Sequence, residues 1–243
     1  MKVLALETST EFCSVALWQD GVVTSKSEKV GQRHSEVLMA MLDGVLTDAG
    51  IRLAQLDGIA FGAGPGSFTG VRIACGVAQG LALGANLPVV GICTLQALAQ
   101  SMDKDQSIDK DQRMDQNKVI AALDARMAEV YFAVYEKCDG EWVTVCAPCL
   151  CLPQNTPAVE GDGWQGAGSG FAAHGAVLRA RYLGQLGDID AGCVPQACAI
   201  AELAAPMFAA GLGLDAAQAM PLYLRDKVAL KTSERQPVEH KLP

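Results

Sequence analysis

Two stretches of this chain repeat the same order of features, which restricts the fold to a duplicated one. In the first stretch, an apolar run ends in Glu7, and a second apolar run is followed by the tight-turn pair Asp20-Gly21. In the other stretch, an apolar run ends in Asp124, and a second run is followed by Asp139-Gly140. The two acids are 117 residues apart (124 − 7), and this offset holds through the second run. The repeat predicts two duplicated subdomains that each open with a β-hairpin.

Helical and strand patterns alternate after the first hairpin. Apolar residues at helical spacing predict a helix over Ser35–Ala49, which Gly50 ends. The segments that follow are predicted to be a strand, a helix, a strand and the start of a helix: Ile59–Phe61, Val71–Leu83, Val89–Ile92 and Thr94 onward. This alternation predicts an α/β fold in which each subdomain is a mixed sheet flanked by helices.

The second half of the chain has weaker patterns. The glycine-rich stretch that begins at Gly161 is typical of a loop. Helical spacing predicts helices over Phe171–Tyr182 and Gln196–Ala210, and Pro206 is expected to kink or split the second of these.

Composition divides the chain into four parts. Residues 1–102 are expected to form the first subdomain, which includes partner-binding helices. Residues 103–117 are a charge-dense near-repeat that is typical of an insertion or linker. Residues 118–230 are expected to form the second subdomain, with its last helices packing back on the first, and residues 231–243 a flexible tail.

The charge balance argues against several classes of protein. The net charge of −8 disfavours a chain that grips nucleic acid by itself, because such binding needs clustered Lys and Arg. An acid at Glu7 comes too early for a signal peptide, so a cytoplasmic location is expected. The uncharged stretch 73–102 is long enough to cross a membrane, but Asn86-Leu87-Pro88 interrupts it, which favours a buried helix, a turn and a buried strand.

The nine cysteines are interpreted as reduced thiols. Cys146, Cys149 and Cys151 could offer thiolates to zinc, with Cys193 as a fourth ligand, but the sequence has no second Cys-x-x-Cys pair and only three histidines. We therefore predict no metal site.

The glycine-rich loop from Gly62 to Arg72 precedes a predicted helix, an arrangement that is typical of an anion site. Ser67 and Thr69 are both suitable N-caps for that helix. The loop lacks the lysine of a phosphate-binding P-loop, so only a weak nucleotide or phosphate contact is expected there. The candidate residues for this contact lie at the ends of the first strands and in the loop: Glu7, Thr8, Ser9, Gly64, Gly66, Ser67 and Asp124.

Glu7 and Asp124 have two interpretations. They could position a metal ion or water, or they could be hydrogen-bonded strand ends. The second interpretation is favoured because no third acid lies close to them in sequence.

Two rows of small residues follow the loop at four-residue spacing, which places each row on one stripe of a helix. One row is Gly70, Ala74, Ala78 and Ala82, and the other is Gly76, Gly80 and Gly84. Glycine lowers helix stability, so close approach of another element should compensate. We expect one row to pack inside the chain and the other to meet a second protein, and the sequence leaves open which row does which. The predicted partner interface is Ser35, Leu38, Met39, Met41, Leu42, Val45, Gly70, Ile73, Ala74, Val77, Ala78 and Leu81.

The duplicated hairpins with acids at the strand ends resemble the RNase H-like or actin-like superfold of actin, sugar kinases and Hsp70. Four segments resemble the TsaB family more closely: Ala5–Ser9, Gly64–Arg72, Leu123–Met127 and Pro221–Asp226. The resemblance covers nearly the whole chain apart from residues 104–117. It implies a non-catalytic subunit that acts in the synthesis of threonylcarbamoyladenosine next to the anticodon of tRNA.

The same resemblance implies partners and cofactors. TsaB-like chains pair with the catalytic paralogue TsaD, form a homodimer when alone, and recruit the ATPase TsaE. ATP and Mg²⁺ are then used by the complex, this chain binds no cofactor strongly, and tRNA is contacted only through the complex. The stretch Thr94–Leu98 lacks the His-x-x-x-His of the paralogue, and Glu11-Phe12 retains one of its two acids. A free-standing actin-fold ATPase or small-molecule kinase is the alternative, and a metallopeptidase is disfavoured because the sequence has no closely spaced His pair.

Overall fold

The computed structural model describes residues 1–102 and 118–225. The predicted insertion at 103–117 and the predicted tail at 231–243 lie outside the described residues, so both stay predictions.

The first sheet has five strands in the order β3-β2-β1-β4-β5. Its strands are β1 Lys2–Glu7, β2 Phe12–Gln19, β3 Val22–Lys29, β4 Gly58–Gly64 and β5 Val89–Cys93. The first three strands form an antiparallel meander, and β1, β4 and β5 are parallel. Helices α1, His34–Asp48, and α2, Phe68–Ala85, pack on the face that presents Leu4 and Leu6.

The second sheet repeats this arrangement in the order β10-β9-β6-β7-β8. Its strands are β6 Lys118–Asp124, β7 Val130–Cys138, β8 Glu141–Cys151, β9 Trp164–Ala167 and β10 Leu186–Asp190. Again the first three strands are antiparallel, and β6, β9 and β10 are parallel. The turn residues Asp20 and Asp139 have φ angles of +47° and +52°, as two-residue hairpins require. The predicted α/β architecture of two duplicated mixed sheets is confirmed.

Two helices from opposite halves of the chain lie where the sheets meet. α3, Thr94–Met102, packs with Leu95 and Leu98 on the second sheet. α5, Ala197–Ala209, packs on the face of the first sheet that presents Val3 and Ala5. Its first amide, on Ala197, donates to the Ser14 hydroxyl at 2.9 Å. Each half of the chain therefore completes the core of the other.

Two predictions about the second half are wrong in part. The stretch from Gly161 is not all loop, because Trp164–Ala167 pairs with β6 as strand β9. Pro206 does not split the last helix, which runs on to Ala209. The interrupted helix is instead α4, Ser169–Arg181, which has non-helical backbone angles at His174.

Candidate functional site

The glycine loop connects β4 to α2. It contains a cis peptide bond between Gly64 and Pro65. Ser67 is the N-cap of α2, and its hydroxyl accepts the Gly70 N–H at 3.4 Å. The Ser67 N–H donates to the Ser9 carbonyl at 2.8 Å, which ties the loop to the segment after β1. Of the two candidate caps, the structure therefore uses Ser67 and places Thr69 inside the helix.

Atoms of the chain itself occupy the space that the loop glycines leave. A Cβ built on Gly62 would lie 1.8 Å from Oε2 of Glu7, and one on Gly70 would lie 1.9 Å from the Thr8 carbonyl oxygen. A Cβ built on Gly66 would lie 2.6 Å from Cβ of Ser9. These glycines are needed for close packing of the loop against residues 7–9. The phosphate contact proposed for Gly64, Gly66 and Ser67 gains no support from this packing and stays a prediction.

Glu7 is a buried carboxyl group at the end of β1, with 1% of its surface exposed. Its Oε1 accepts the Ser9 N–H, while Oε2 has no hydrogen-bond partner among the described residues. Burial raises the pKa of Glu7 to about 7, against a smaller opposing effect of the neighbouring Ser9 and Thr8 groups. The Ser9 hydroxyl also faces this carboxyl. Glu7 is therefore packed against Gly62 at the strand end, and its predicted nucleotide or phosphate contact stays a prediction.

Asp124 is the equivalent acid at the end of β6. Its Oδ1 accepts the Arg126 N–H at 3.0 Å, the same two-residue spacing as Glu7 and Ser9. Its own N–H donates to the Ser169 hydroxyl at 3.1 Å, and Nε2 of His174 lies 3.8 Å from Oδ1. Within residues 1–102 and 118–225, no three His, Cys, Asp or Glu side chains come together in a way that could hold a metal ion.

The duplication extends to the second glycine loop, which the sequence reasoning missed. Gly62-Ala63-Gly64-Pro65-Gly66 and Gly166-Ala167-Gly168-Ser169-Gly170 share the pattern G-A-G-x-G. Gly64 and Gly168 have φ angles of +105° and +100°, so the two loops bend in the same way before their helices. The shared pattern could have predicted the second loop from the sequence, although its offset of 104 residues (166 − 62) differs from the offset of 117 residues between the hairpins.

Half of the predicted partner-interface residues are not at the surface of the chain, and the interface itself stays a prediction. Six of its residues are buried in the chain's own core, where they pack α1 and α2 against the first sheet: Leu38, Leu42, Val45, Gly70, Ala74 and Ala78. The Gly70–Ala82 row is thus the internal one. The other six predicted residues are exposed or half-buried: Ser35, Met39, Met41, Ile73, Val77 and Leu81.

The outer side of α2 carries the second row. Gly76, Gly80 and Gly84 are exposed, and a Cβ built on any of them would meet no atom of residues 1–102 and 118–225 within 4 Å. Leu83, between them, is 77% exposed. We define the α2 face as Ile73, Gly76, Val77, Gly80, Leu83 and Gly84. The sequence of α2 contains a single charged residue, Arg72, so the α2 face is apolar or small throughout.

One helix of the described residues, α2, is long and apolar enough by length and composition to cross a membrane. Ala74, Ala78 and Ala82 on its inner side are fully buried against the first sheet. Packing on this sheet therefore accounts for the inner row of its apolar residues.

The segment Pro221–Arg225, which we call the strap, connects the two halves. The Leu222 N–H donates to the Ala63 carbonyl at 2.7 Å, beside the glycine loop. The Tyr223 hydroxyl accepts Nε of Arg72 at 2.8 Å, and the Arg72 guanidinium lies 3.4 Å from the centre of the Phe68 ring. At its other end the strap reaches the turn between β6 and β7. This gives a structural role to a segment that the sequence marked only by resemblance.

Comparisons with known proteins give consistent matches. Residues 19–185 match the family model described as TsaD: tRNA N6-adenosine threonylcarbamoyltransferase. The chain is 37% identical to the tRNA threonylcarbamoyladenosine biosynthesis protein TsaB of Escherichia coli strain K12, over 95% of this chain and 97% of that protein. It is 37% identical to the TsaB protein of Haemophilus influenzae, over 95% and 96% of the two chains.

Solved structures from Pseudomonas aeruginosa share the whole fold. One, described as an uncharacterized protein with similarity to peptidase YeaZ, is 38% identical, with a TM-score of 0.82 over 92% of this chain and 99% of that one. Another, YeaZ, is 39% identical, with a TM-score of 0.78 over the same shares. These matches cover both duplicated halves.

Proposed function

Because the chain belongs to the TsaB family, within the wider group that the TsaD model describes, we propose that it is a non-catalytic scaffold subunit in tRNA threonylcarbamoyladenosine biosynthesis. In this role it pairs with the catalytic paralogue TsaD and recruits the ATPase TsaE. It forms a homodimer when TsaD is missing, and tRNA is bound by the complex in the cytoplasm.

The state of the strand-end acids supports a non-catalytic role. Glu7, which in an actin-like ATPase would face the nucleotide, is buried against Gly62 with its pKa raised to about 7. The Asp124 carboxylate accepts a hydrogen bond from the Arg126 amide in the β6–β7 turn. We assign ATP and Mg²⁺ to the other subunits, because within the described residues neither acid belongs to a group of three His, Cys, Asp or Glu side chains that could hold a metal ion.

The α2 face is the single observation that carries the pairing proposal. Its glycines leave a flat strip on which the helix of a partner can approach closely. An uncharged exposed strip on a chain of net charge −8 is typical of a protein interface. Met39, which is 52% exposed on α1, adds apolar surface on the neighbouring helix.

The test is a co-purification of the chain with TsaD, followed by a reconstitution of threonylcarbamoyladenosine formation. Gly80→Arg places a charged side chain on the strip without touching the core, so we expect it to abolish co-purification and tRNA modification together. Gly175→Arg, at a helical glycine of α4 that also has open space around it, is the matched control. Normal pairing by Gly80→Arg would refute the interface.

The alternative, a free-standing ATPase or small-molecule kinase, is tested on the isolated chain. Calorimetric titration with Mg-ATP should give no binding in the micromolar range. Micromolar binding that is lost in Gly66→Arg would favour the enzyme instead.

A further inference from the structure

The turn that joins β6 to β7 has a strained backbone. Arg126, Met127 and Ala128 have φ angles of +62°, +54° and +59°. Three consecutive left-handed residues that carry a Cβ are disfavoured, because each Cβ crowds the following carbonyl oxygen. The turn is closed by the Ala125 N–H to the Glu129 carbonyl and by the Glu129 N–H to the Arg126 carbonyl, both at 3.0 Å. Such a turn persists only where its surroundings hold it.

The side chain of Arg225 supplies this hold. Its Nη2 donates to the Ala125 carbonyl at 3.0 Å and lies 2.8 Å from a carboxylate oxygen of Glu129. Its Nη1 lies 3.3 Å from Sδ of Met127. The Arg225 and Glu129 side chains are 18% and 27% exposed, so solvent screens them less than an ordinary surface pair. One guanidinium thus contacts both ends and the tip of the turn.

The other end of the strap is fixed to the first half of the chain. Leu222 is hydrogen-bonded to Ala63, and Tyr223 to Arg72 of α2. We propose that the strap is a latch: Arg225 holds the β6–β7 turn in its left-handed conformation, and the contact between Tyr223 and α2 sets how firmly Arg225 is held.

The latch gives the turn two states. In the latched state the exposed Met127 and Arg126 are presented by a rigid turn, and without Arg225 the backbone relaxes out of the left-handed region. Arg72 is on the same helix as the α2 face. On the function proposed above, a partner bound there would act on the turn through the strap.

Hydrogen exchange on the isolated full-length chain tests the latch. The readout is exchange of the Ala125 and Glu129 amides, which close the turn. Arg225→Ala removes charge-assisted hydrogen bonds, so exchange should become at least about tenfold faster. Adding Ala128→Gly should restore protection, because glycine adopts a positive φ without crowding. Exchange within twofold of wild type in Arg225→Ala, or no recovery in the double variant, would overturn the latch.

Tyr223→Phe tests the link to α2 while keeping Arg225 and the aromatic ring. Loss of the hydroxyl that accepts Nε of Arg72 should speed exchange at the turn by about two- to fivefold. Leu83→Ala, on the α2 face, is the control and should leave exchange unchanged. Equal exchange in these two variants would overturn the link. Since no partner is present, the result is independent of any role in tRNA modification.

Discussion

Replacement of Glu7 by glutamine should make the stability of the chain less dependent on pH. The carboxyl has a pKa of about 7 in the folded chain against an ordinary value of 4.5, so the folded chain binds this proton more tightly than the unfolded one. The stability from this proton is fully present below pH 4.5 and is lost as the pH rises through 7. At 1.36 kcal/mol per pKa unit, the loss amounts to about 3 kcal/mol.

Most of this loss falls in a range that can be measured. About 2.5 kcal/mol of it lies between pH 5 and pH 8, where exposed carboxylates are already ionised. Glutamine is nearly isosteric with the protonated acid and does not titrate. The wild type should therefore lose about 2.5 kcal/mol more than Glu7→Gln over this interval.

Urea unfolding at pH 5, 6, 7 and 8 measures the difference. The other titrating groups contribute equally to the pH dependence of stability in variant and wild type, so their contributions cancel in the comparison. Glu11→Gln, at a surface carboxylate that is 52% exposed, is the control and should follow the wild type. Parallel curves for wild type and Glu7→Gln would show that the carboxyl is ionised in the folded chain, which would refute the burial argument.

Two further predictions concern the glycine loop and α2, and both are measured by thermal or urea unfolding. Gly70→Ala should destabilise the chain by about 2 kcal/mol, because its Cβ would meet the Thr8 carbonyl. Gly80→Ala, in open space, should instead stabilise the chain by about 1 kcal/mol. A stability change of the same sign in both variants would contradict the assignment of inner and outer rows. Ser67→Ala removes the N-cap of α2 and should lower the free energy of unfolding by about 1 kcal/mol, while Thr69→Ala, inside the helix, should change it much less. An equal loss of stability in the two variants would contradict Ser67 as the N-cap.

The sequence predicted those features that depend on local pattern and repetition. Both hairpins, their turns and the helices α1 to α3 follow from apolar spacing and turn residues. Strand β9 was missed because its four residues carry little strand signal of their own. Their extended conformation depends on pairing with β6 in the middle of the sheet.

The direction in which α2 faces could not be read from its sequence. Both rows of small residues are uncharged, so hydropathy does not distinguish the buried row of Ala74 from the exposed row of Gly80. The role of Arg225 within the Pro221–Asp226 segment was missed for a different reason: its partners lie about 100 residues away, and no local pattern marks them.

Each half of the chain contributes one helix to the core of the other half, α3 from the first and α5 from the second, and this has a consequence for how the chain folds. A fragment that ended at Met102 would leave the Val3 and Ala5 face of its sheet open to water, because α5 comes from the far end of the chain. The second half alone would lack α3 over its own sheet in the same way. Neither copy of the ancestral unit is autonomous any longer, so the chain should unfold as one cooperative unit, with its slow contacts formed last between distant parts of the sequence.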